Sequence, residues 1–294
     1  MKDKIIALGF FDGVHLGHQA LLRECGRLAS EVGAIPAAIT FLRHPQSLFS
    51  SDPPLLINGD ADRERLLRQY GIGQIYKYPV TKEVMSTPWQ AFLEQLLESG
   101  AAGFVCGHDF RFGHSGEGDS EKLQEFCAGR GIPCVIVPEQ ELDGIRISST
   151  YIRGLVEEGN MELAGKFLGH PHVLTGKVVE GRRLGRTIGV PTANILIPED
   201  VVVPKLGVYA GKCILDDKEY VTVTNIGSRP TVGGHQVRAE SWILDFEGDL
   251  YGREVTLQLH KFLRPEQKFA SLEELKEQIA RDAQNAERAM HNAQ

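Results

Sequence analysis

Apolar residues in the first half of the chain alternate between short runs and stripes at helical spacing. The short runs are typical of buried strands and fall at residues 5–8, 34–41, 74–78, 103–106 and 134–137. Helical patterns lie between several of them and end at Gly33, Gly71 and Gly100. This alternation predicts an α/β, Rossmann-like domain, with a parallel sheet and helices on both of its faces.

The pattern changes after residue 168 to strands of period two separated by turns. They are predicted at residues 173–179, 209–215, 219–224, 239–246 and 255–262, which is typical of a small antiparallel barrel. Ser271 and Glu274 form a capping box for a final helix. We expect its apolar stripe to pack on the barrel; its members are Leu272, Leu275, Ile279, Ala283, Ala286 and Met290.

A chain of 294 residues has room for two cores. We therefore expect two domains, an α/β domain over residues 1–168 and an all-β domain with a C-terminal helix over residues 169–294.

Composition excludes several classes of protein. A net charge of −7, with no block of Lys or Arg, argues against nucleic acid as a partner. No apolar run reaches the length of a membrane span, and Met1–Asp3 leads directly into the first strand, so we expect neither a membrane partner nor a signal peptide. The 5 cysteines form no CxxC, which favours buried thiols in a cytoplasmic protein. We expect a monomer or a weak homo-oligomer.

The segment GFFDGVHLGHQALL, residues 9–22, lies where the first strand turns into the first helix. Gly9, Gly13 and Gly17 allow a ligand to approach the backbone, and the helix N-terminus offers unpaired N–H groups. His15 and His18 share one face of the first turn. Phosphate binding is the interpretation we favour. Two alternatives stay open, surface histidines without a function and a zinc pair that lacks a third ligand nearby.

Three further segments follow predicted strands or open a helix: TFLRHP at 40–45, GHDFRFGHSGEGD at 107–119 and RISSTYIR at 146–153. Ligands of parallel α/β sheets bind beyond the carboxyl ends of the strands. In the third segment, Ser148 to Thr150 cap a helix, and Arg146 and Arg153 are suited to ATP phosphates. Against a functional role, a His-Pro pair is often only a turn, and aromatic residues beside a strand are often only core.

The motif FDGVHLGH resembles the His-x-Gly-His signature of nucleotidyltransferases. In the longer form, Gly-x-Phe-Asp-Gly-Val-His-x-Gly-His, it resembles the bacterial bifunctional riboflavin kinase/FAD synthetases. The resemblance implies catalytic roles for His15 and His18. It implies ATP or phosphate contacts from Gly9, Phe11, Asp12, Gly13, Gly17, Arg146, Ser149, Thr150 and Arg153. It implies flavin contacts from His44, Asp109, Phe110 and Phe112, although Leu42 and Arg43 depart from the family pattern before the His-Pro pair.

The second half resembles riboflavin kinase in four segments, beginning with GKVVEGRRLGRTIGVPTANI at residues 176–195 and ending with ESWILDFEGDLYG at 240–252. The resemblance implies that Glu240 is the catalytic base and that Gly185 and Arg186 contact ATP phosphates. Thr192 and Asn194 match Mg²⁺–ATP ligands, and both offer the oxygen donors that Mg²⁺ prefers. Trp242 is a departure, because the family commonly has histidine there.

The implied activity is the conversion of riboflavin to FMN and of FMN to FAD, with ATP as co-substrate of both steps and Mg²⁺ as cofactor. The residue types suit these reactions. Riboflavin's hydroxyl is a neutral nucleophile and needs a base, whereas the phosphate of FMN is already ionised and needs donors and cations around the transition state. Two rivals remain, an enzyme with only one active domain and a flavin-binding regulator that consumes no ATP.

Overall fold

The computed structural model describes residues 3–180, 190–216, 218–231 and 234–292. The chain forms two compact units. The first unit contains Met1–Leu56 and Arg63–Ser149, and the second contains Ile57–Asp62 and Thr150–Gln294. This division concerns packing, and the functional boundary at residue 168 stays a prediction.

The first unit is built on a five-stranded parallel sheet, as predicted. Its strands are β1 Lys4–Leu8, β2 Ile35–Phe41, β3 Gln74–Tyr78, β4 Ala101–Gly107 and β5 Cys134–Val137. The order in the sheet is β3-β2-β1-β4-β5. The strand order reverses between β1 and β4, and such a switch point opens a crevice at the carboxyl ends of these two strands.

Helices cover both faces of this sheet. The helices are α1 Leu16–Val32, α2 Asp60–Gln69, α3 Lys82–Met85, α4 Trp89–Glu98 and α5 Ser120–Ala128. On one face, Ile6 and Leu8 pack in a core that includes residues of α4 and α5. On the other face lies α1, whose Cys25 Sγ is 3.2 Å from the carbonyl oxygen of Ile5. Successive strand residues point to opposite faces, so each face of β1 is buried.

A short hairpin, β6 Glu141–Leu142 and β7 Ile145–Arg146, follows β5. Its two loop residues, Asp143 and Gly144, have φ angles of 54° and 73°. Two positive φ angles in a two-residue loop are the signature of a type I′ turn, for which Asp-Gly is a preferred dipeptide. Our strand prediction missed this hairpin because each of its strands is only two residues long.

After Ile57–Asp62, the second unit continues with α6 Ser149–Glu158, of which Ser149 belongs to the first unit, and α7 Met161–Leu168. Its six-stranded antiparallel sheet has the order β8-β13-β10-β11-β12-β9. The strands are β8 His172–Lys177, β9 Thr192–Leu196, β10 Gly207–Leu215, β11 Lys218–Thr231, β12 Gly234–Ile243 and β13 Glu254–Arg264. A bridge between Val179 and Asn194 joins the two edges, which agrees with the predicted barrel.

Three details of the predicted barrel were wrong. Strand β9 was not predicted. Strand β11 continues to Thr231, well past the predicted end at residue 224, because ladder pairing with β12 outweighs the turn preference of its Gly, Ser and Pro residues. Strand β12 begins earlier and ends at Ile243, shortly before Asp245 adopts a φ of 55°.

The C-terminal helix α8, Leu272–His291, packs on the barrel as predicted. Its Ala286 and Met290 are buried against Ala210 of β10. The predicted capping box is present, with the Glu274 amide donating to Ser271 Oγ at 3.1 Å. Leu272 is an exception to the predicted stripe, because it is 50% exposed.

All five cysteines are free, and all except the half-buried Cys134 are fully buried, as expected. Burial raises the pKa of Cys25 and of Cys213 to about 11. None of the described helices is long and apolar enough to cross a membrane.

We predict that Gly211→Ala strongly destabilises the second unit. A Cβ at Gly211 would lie 2.0 Å from the backbone oxygen of Gln258 on β13, and a backbone atom in a paired strand cannot move away without breaking the ladder. We expect a loss of about 3 kcal/mol in the free energy of unfolding, measured by urea denaturation followed by circular dichroism.

The matched control for this prediction is Gly154→Ala on α6. A Cβ at Gly154 meets nothing within 4 Å, so alanine should change stability by no more than about 1 kcal/mol, in the favourable direction. Equal unfolding midpoints for the two variants would contradict the predicted clash.

Candidate active sites

The turn from β1 to α1 has an unusual backbone. Phe11, Gly13 and Val14 have φ angles of 59°, 80° and 41°, and the side chains of Phe11 and Val14 are fully buried. A Cβ at Gly9 would lie 3.0 Å from the Phe11 ring. Gly9 therefore makes room for a buried side chain of its own protein, a role that the sequence pattern did not indicate.

The structure brings the two predicted histidines together at the N-terminus of α1. His15 caps the helix, since its Nδ1 accepts a hydrogen bond of 3.3 Å from the amide of His18. The two rings are stacked, with centroids 3.7 Å apart and planes 12° apart. Gly17 favours this packing, because a Cβ there would lie 3.2 Å from the His15 ring and the ring would have to shift.

His18 is held in its neutral form. Burial, and then the charge of His15, lower the pKa of His18 well below its usual value. Its buried Nδ1 has no hydrogen-bond partner in the part of the chain that the structure describes. An anion beside the ring would raise this pKa again. The zinc alternative finds no support, since the described residues contain no group of three or more His, Cys, Asp or Glu placed to hold a metal.

The RISST segment lies against the same turn. Ser149 Oγ donates a hydrogen bond of 3.0 Å to the carbonyl oxygen of Asp12. This predicted phosphate ligand therefore also links the RISST segment to the FDGVHLGH motif. Thr150 is exposed in the first turn of α6. Arg153 is half-buried on the same helix, in the part grouped with the second unit.

Arg146 is paired with two carboxylates. Its Nη2 lies 2.6 Å from Asp109 and its Nε lies 2.8 Å from Glu139. Asp109 follows β4 and Glu139 follows β5, so the ion pairs join the carboxyl ends of two neighbouring strands to the β6–β7 hairpin. The structure thus brings a predicted phosphate ligand and a predicted flavin ligand together.

An apolar pocket of about 170 Å³ opens beside this turn, and Gly9 is part of its wall. Aromatic rings dominate the lining: Phe41, Tyr78, Phe92, Phe110 and Phe112. The rings of Phe110 and Phe112 are stacked at 5.7 Å. Phe112 is also buried in the core of the unit, so the core and pocket interpretations both hold for it.

His44 lies next to this pocket without belonging to its described lining. Its Nδ1 accepts a hydrogen bond from the amide of Gln46 at 3.2 Å and caps a short 3-10 turn, Pro45–Leu48. Its ring contacts the edge of Phe10, with centroids 5.1 Å apart. The structure therefore shows the turn-forming role, and a flavin contact from His44 stays a prediction.

In the second unit, strand register places three predicted residues on one face of the sheet. Glu240 of β12 pairs with Asn194 of β9 on one side and with Asn225 of β11 on the other. Directly paired residues of antiparallel strands point to the same face. Thr192 pairs with Trp242 in the same way, two positions along, and therefore also on this face.

A pocket of about 270 Å³ covers this face, and Glu240, Thr192 and Trp242 are part of its lining. The far side of the pocket is supplied by Phe269, before α8, and by Leu275 and Ile279 on the helix. Arg264 and Asp282 also line it and form a buried ion pair, with Nη2 of Arg264 2.8 Å from Asp282.

Among the described residues, Asn194 has an acceptor atom without a donor. Its Nδ2 donates to Thr192, with the Oγ1 contact at 3.4 Å, while its buried Oδ1 has no partner within the described ranges. A buried amide oxygen left without a donor fits a hard cation better than it fits an apolar core. The other predicted phosphate ligands of this half, Gly185 and Arg186, lie outside the described residues.

Two family models match the chain in succession. A model described as FAD synthetase matches residues 1–151, and one described as riboflavin kinase matches residues 168–290. The bifunctional riboflavin kinase/FMN adenylyltransferase of Listeria monocytogenes is 36% identical over 96% of this chain and 91% of its own length. The enzyme of the same name from Escherichia coli K12 is 38% identical over 95% of this chain and 90% of its own.

The chain belongs to the bifunctional riboflavin kinase/FMN adenylyltransferase family. The predicted family and the predicted ATP-dependent kinase and adenylyltransferase activities are thereby confirmed. The residue roles within each site stay predictions.

A solved structure described as a macrolide-efflux protein from Streptococcus pneumoniae is 32% identical, with a TM-score of 0.86, and the match covers 97% of this chain and 94% of that one. The efflux description applies to that protein. The two family models account for both halves of this riboflavin kinase/FMN adenylyltransferase family member.

Several residues of these sites were not predicted. Glu139 follows a strand of the parallel sheet, so the rule that placed Asp109 could have found it. Phe41 and Tyr78 are the last residues of β2 and β3, so the same rule could have found them. Arg264 and Asp282 are far apart in sequence and offered no signal, because only packing of α8 on the barrel brings them together.

We predict that His18 titrates well below pH 6.5 in the free protein. The folded state then binds fewer protons than the unfolded state at mildly acid pH, so His18 makes stability fall as pH falls from about 6.5 toward its folded pKa. Histidine NMR signals, with that of His18 assigned from a His18→Gln variant, measure this pKa directly.

Adding inorganic pyrophosphate should raise the measured pKa of His18, because an anion favours the charged imidazole. A titration midpoint that does not move with saturating pyrophosphate would show that no phosphate binds beside this ring.

Proposed function

We propose that the two halves of the chain catalyse successive steps, with a boundary near residue 168. The second half transfers the γ-phosphoryl group of ATP to riboflavin and makes FMN. The first half transfers AMP from ATP to FMN and makes FAD, with release of pyrophosphate. The observation that carries this proposal is the contrast between the two sites, a row of Asn194, Glu240 and Asn225 in one and a stacked histidine pair at a helix N-terminus in the other.

For the kinase step, Glu240 takes the proton from the 5′-hydroxyl of the ribityl chain as the oxygen attacks the γ-phosphorus. A general base must lie within hydrogen-bond reach of its proton, and Glu240 lines the pocket from β12, between β11 and β9. The apolar residues contributed by the α8 region, Phe269, Leu275 and Ile279, suit the flavin ring and exclude water from it.

Mg²⁺ would be held by Asn194 Oδ1 and Thr192 Oγ1 together with ATP oxygens, and when bound it would offset the charge of the phosphates. The Asn194 oxygen, which has no hydrogen-bond partner in the described part of the chain, supports this placement.

For the adenylyl step, the phosphate of FMN is the nucleophile and needs no base, because its second pKa is about 6. His15 and His18, with the first amides of α1, stabilise charge that develops on the α-phosphate. His18 starts neutral and gains a proton as the polyphosphate enters. The aromatic pocket lined by Phe110 and Phe112 suits the flavin ring. Asp109 lies at the same edge of the parallel sheet, just after the carboxyl end of β4.

The remaining expectations are also proposals. A net charge of −7 and free, mostly buried thiols support a cytoplasmic enzyme that acts on riboflavin, FMN and ATP without nucleic acid or membrane. We propose a monomer or a weak homo-oligomer.

We predict that the purified protein converts riboflavin, ATP and Mg²⁺ first to FMN and then to FAD, with the products separated by chromatography. FMN that accumulates without FAD would support an enzyme with one active domain. Flavin binding without ATP consumption would support a regulator and refute the proposal.

We predict that Glu240→Gln and His18→Ala separate the two activities. Loss of the base should lower FMN formation by about 100-fold or more, with FAD formation from supplied FMN largely retained. Loss of the histidine should lower FAD formation by about 100-fold, with FMN formation retained. Each variant's retained activity is its folding control, and loss of both activities in a folded protein would refute the residue assignment.

A further inference from the structure

The ion pairs around Arg146 contain one residue with no role in the proposed mechanism. Glu139, which follows β5, forms an ion pair with Arg146, its carboxylate oxygen lying 2.8 Å from Nε, and the same oxygen lies 3.8 Å from His108 Nε2. Asp109 holds Nη2 of the same guanidinium at 2.6 Å. The carboxylates thus contact the guanidinium at two different nitrogen atoms.

The two ion pairs restrain the guanidinium without using all of its donors. Arginine carries five N–H donors in a rigid fork. Neither ion pair involves Nη1 of Arg146, and the side chain is 53% exposed. A guanidinium that is already restrained at Nε and Nη2 can offer Nη1 to a ligand. Binding then costs little further side-chain freedom.

The held arginine lies next to the turn that carries the histidine pair. Ile147 donates a backbone hydrogen bond of 2.9 Å to Gln140, and the Gln140 side chain lies 3.9 Å from the position of a Cβ on Gly17. Ser149, three residues after Arg146, is bonded to Asp12. Glu139 is thus adjacent to Gln140, which packs beside the first turn of α1, and Arg146 is adjacent to Ile147, which is hydrogen-bonded to Gln140.

We propose that Glu139 is a positioning residue, which orients Arg146 to bind the phosphates of ATP in the adenylyl step. The inference rests on the proposed function of the first unit. Glu139 itself touches no substrate, since a carboxylate would repel polyphosphate, and its effect passes entirely through the guanidinium.

The expected effect is moderate because all of these groups are partly exposed, and solvent screens such pairs. Glu139→Gln removes the charge but keeps the shape. It should raise the KM for ATP in FAD formation by about threefold, with kcat nearly unchanged. Glu139→Asp, which keeps the charge, should recover part of the loss. FMN formation by the second unit should not change.

The deciding experiment is a double-mutant cycle on the full-length protein, with FMN, ATP and Mg²⁺ supplied. Arg146→Ala should raise the KM for ATP more than Glu139→Gln does, and adding Glu139→Gln to Arg146→Ala should have no further effect. The matched control is Glu121→Gln on α5, which removes the same charge from the same unit at an exposed position and should leave the KM for ATP unchanged.

An unchanged KM for ATP in an active Glu139→Gln enzyme would overturn the positioning role and leave the proposed function intact. The same holds if Glu139→Gln raises the KM for ATP equally in the wild-type and the Arg146→Ala backgrounds. A wild-type protein that makes FMN but no FAD refutes the proposed function of the first unit and this inference with it.

Discussion

The conformation of the turn between β1 and α1 is the constraint on which the first site depends. Positive φ angles at Phe11, Gly13 and Val14 let the chain leave the sheet and enter the helix within a few residues. Burial of Phe11 against Gly9 stabilises this backbone, and Gly17 leaves the space that the His15 ring occupies. The stacked histidines, the helix N-terminus and the bond from Ser149 to Asp12 all follow from this turn. A larger residue at Gly9 or Gly17 would act on the site through packing, without touching a ligand.

The second site is organised by strand register instead of by a turn. Asn194, Glu240 and Asn225 come from three strands and share one face because the antiparallel ladder pairs them directly. A slip of one residue in either pairing would turn a whole set of side chains to the opposite face. The clash that a Cβ at Gly211 would make with Gln258 shows how closely the strands of this barrel approach one another. The bridge between Val179 and Asn194 brings the chain after β8 next to the row that contains Asn194 and Glu240.

Two arginine ion pairs illustrate different uses of charge. Arg264 and Asp282 are largely buried, with side-chain exposures of 19% and 3%, and join the end of β13 to α8. Removing one partner would leave a buried charge uncompensated, which is costly, so this pair serves structure. Arg146 and its carboxylates are partly exposed and stabilise the fold little. Because solvent already reaches these groups, the guanidinium can stay paired with its carboxylates and still reach a polyphosphate through Nη1, which suits a binding role.

The sequence alone determined the two fold classes, the family and the positions of most strands and helices, because apolar periodicity and local motifs are short-range properties. The pairing of His15 and His18 could be predicted from the sequence because helical spacing brings the two residues together. Tertiary structure decided what depends on distant contacts. It set the continuation of β11 through Gly227 and Pro230, the pairing of Arg146 with Glu139, and the placement of Asp282 in the lining of the Glu240 pocket. It also decided that His18 is neutral, since burial by the surrounding fold, and not residue type, sets that pKa.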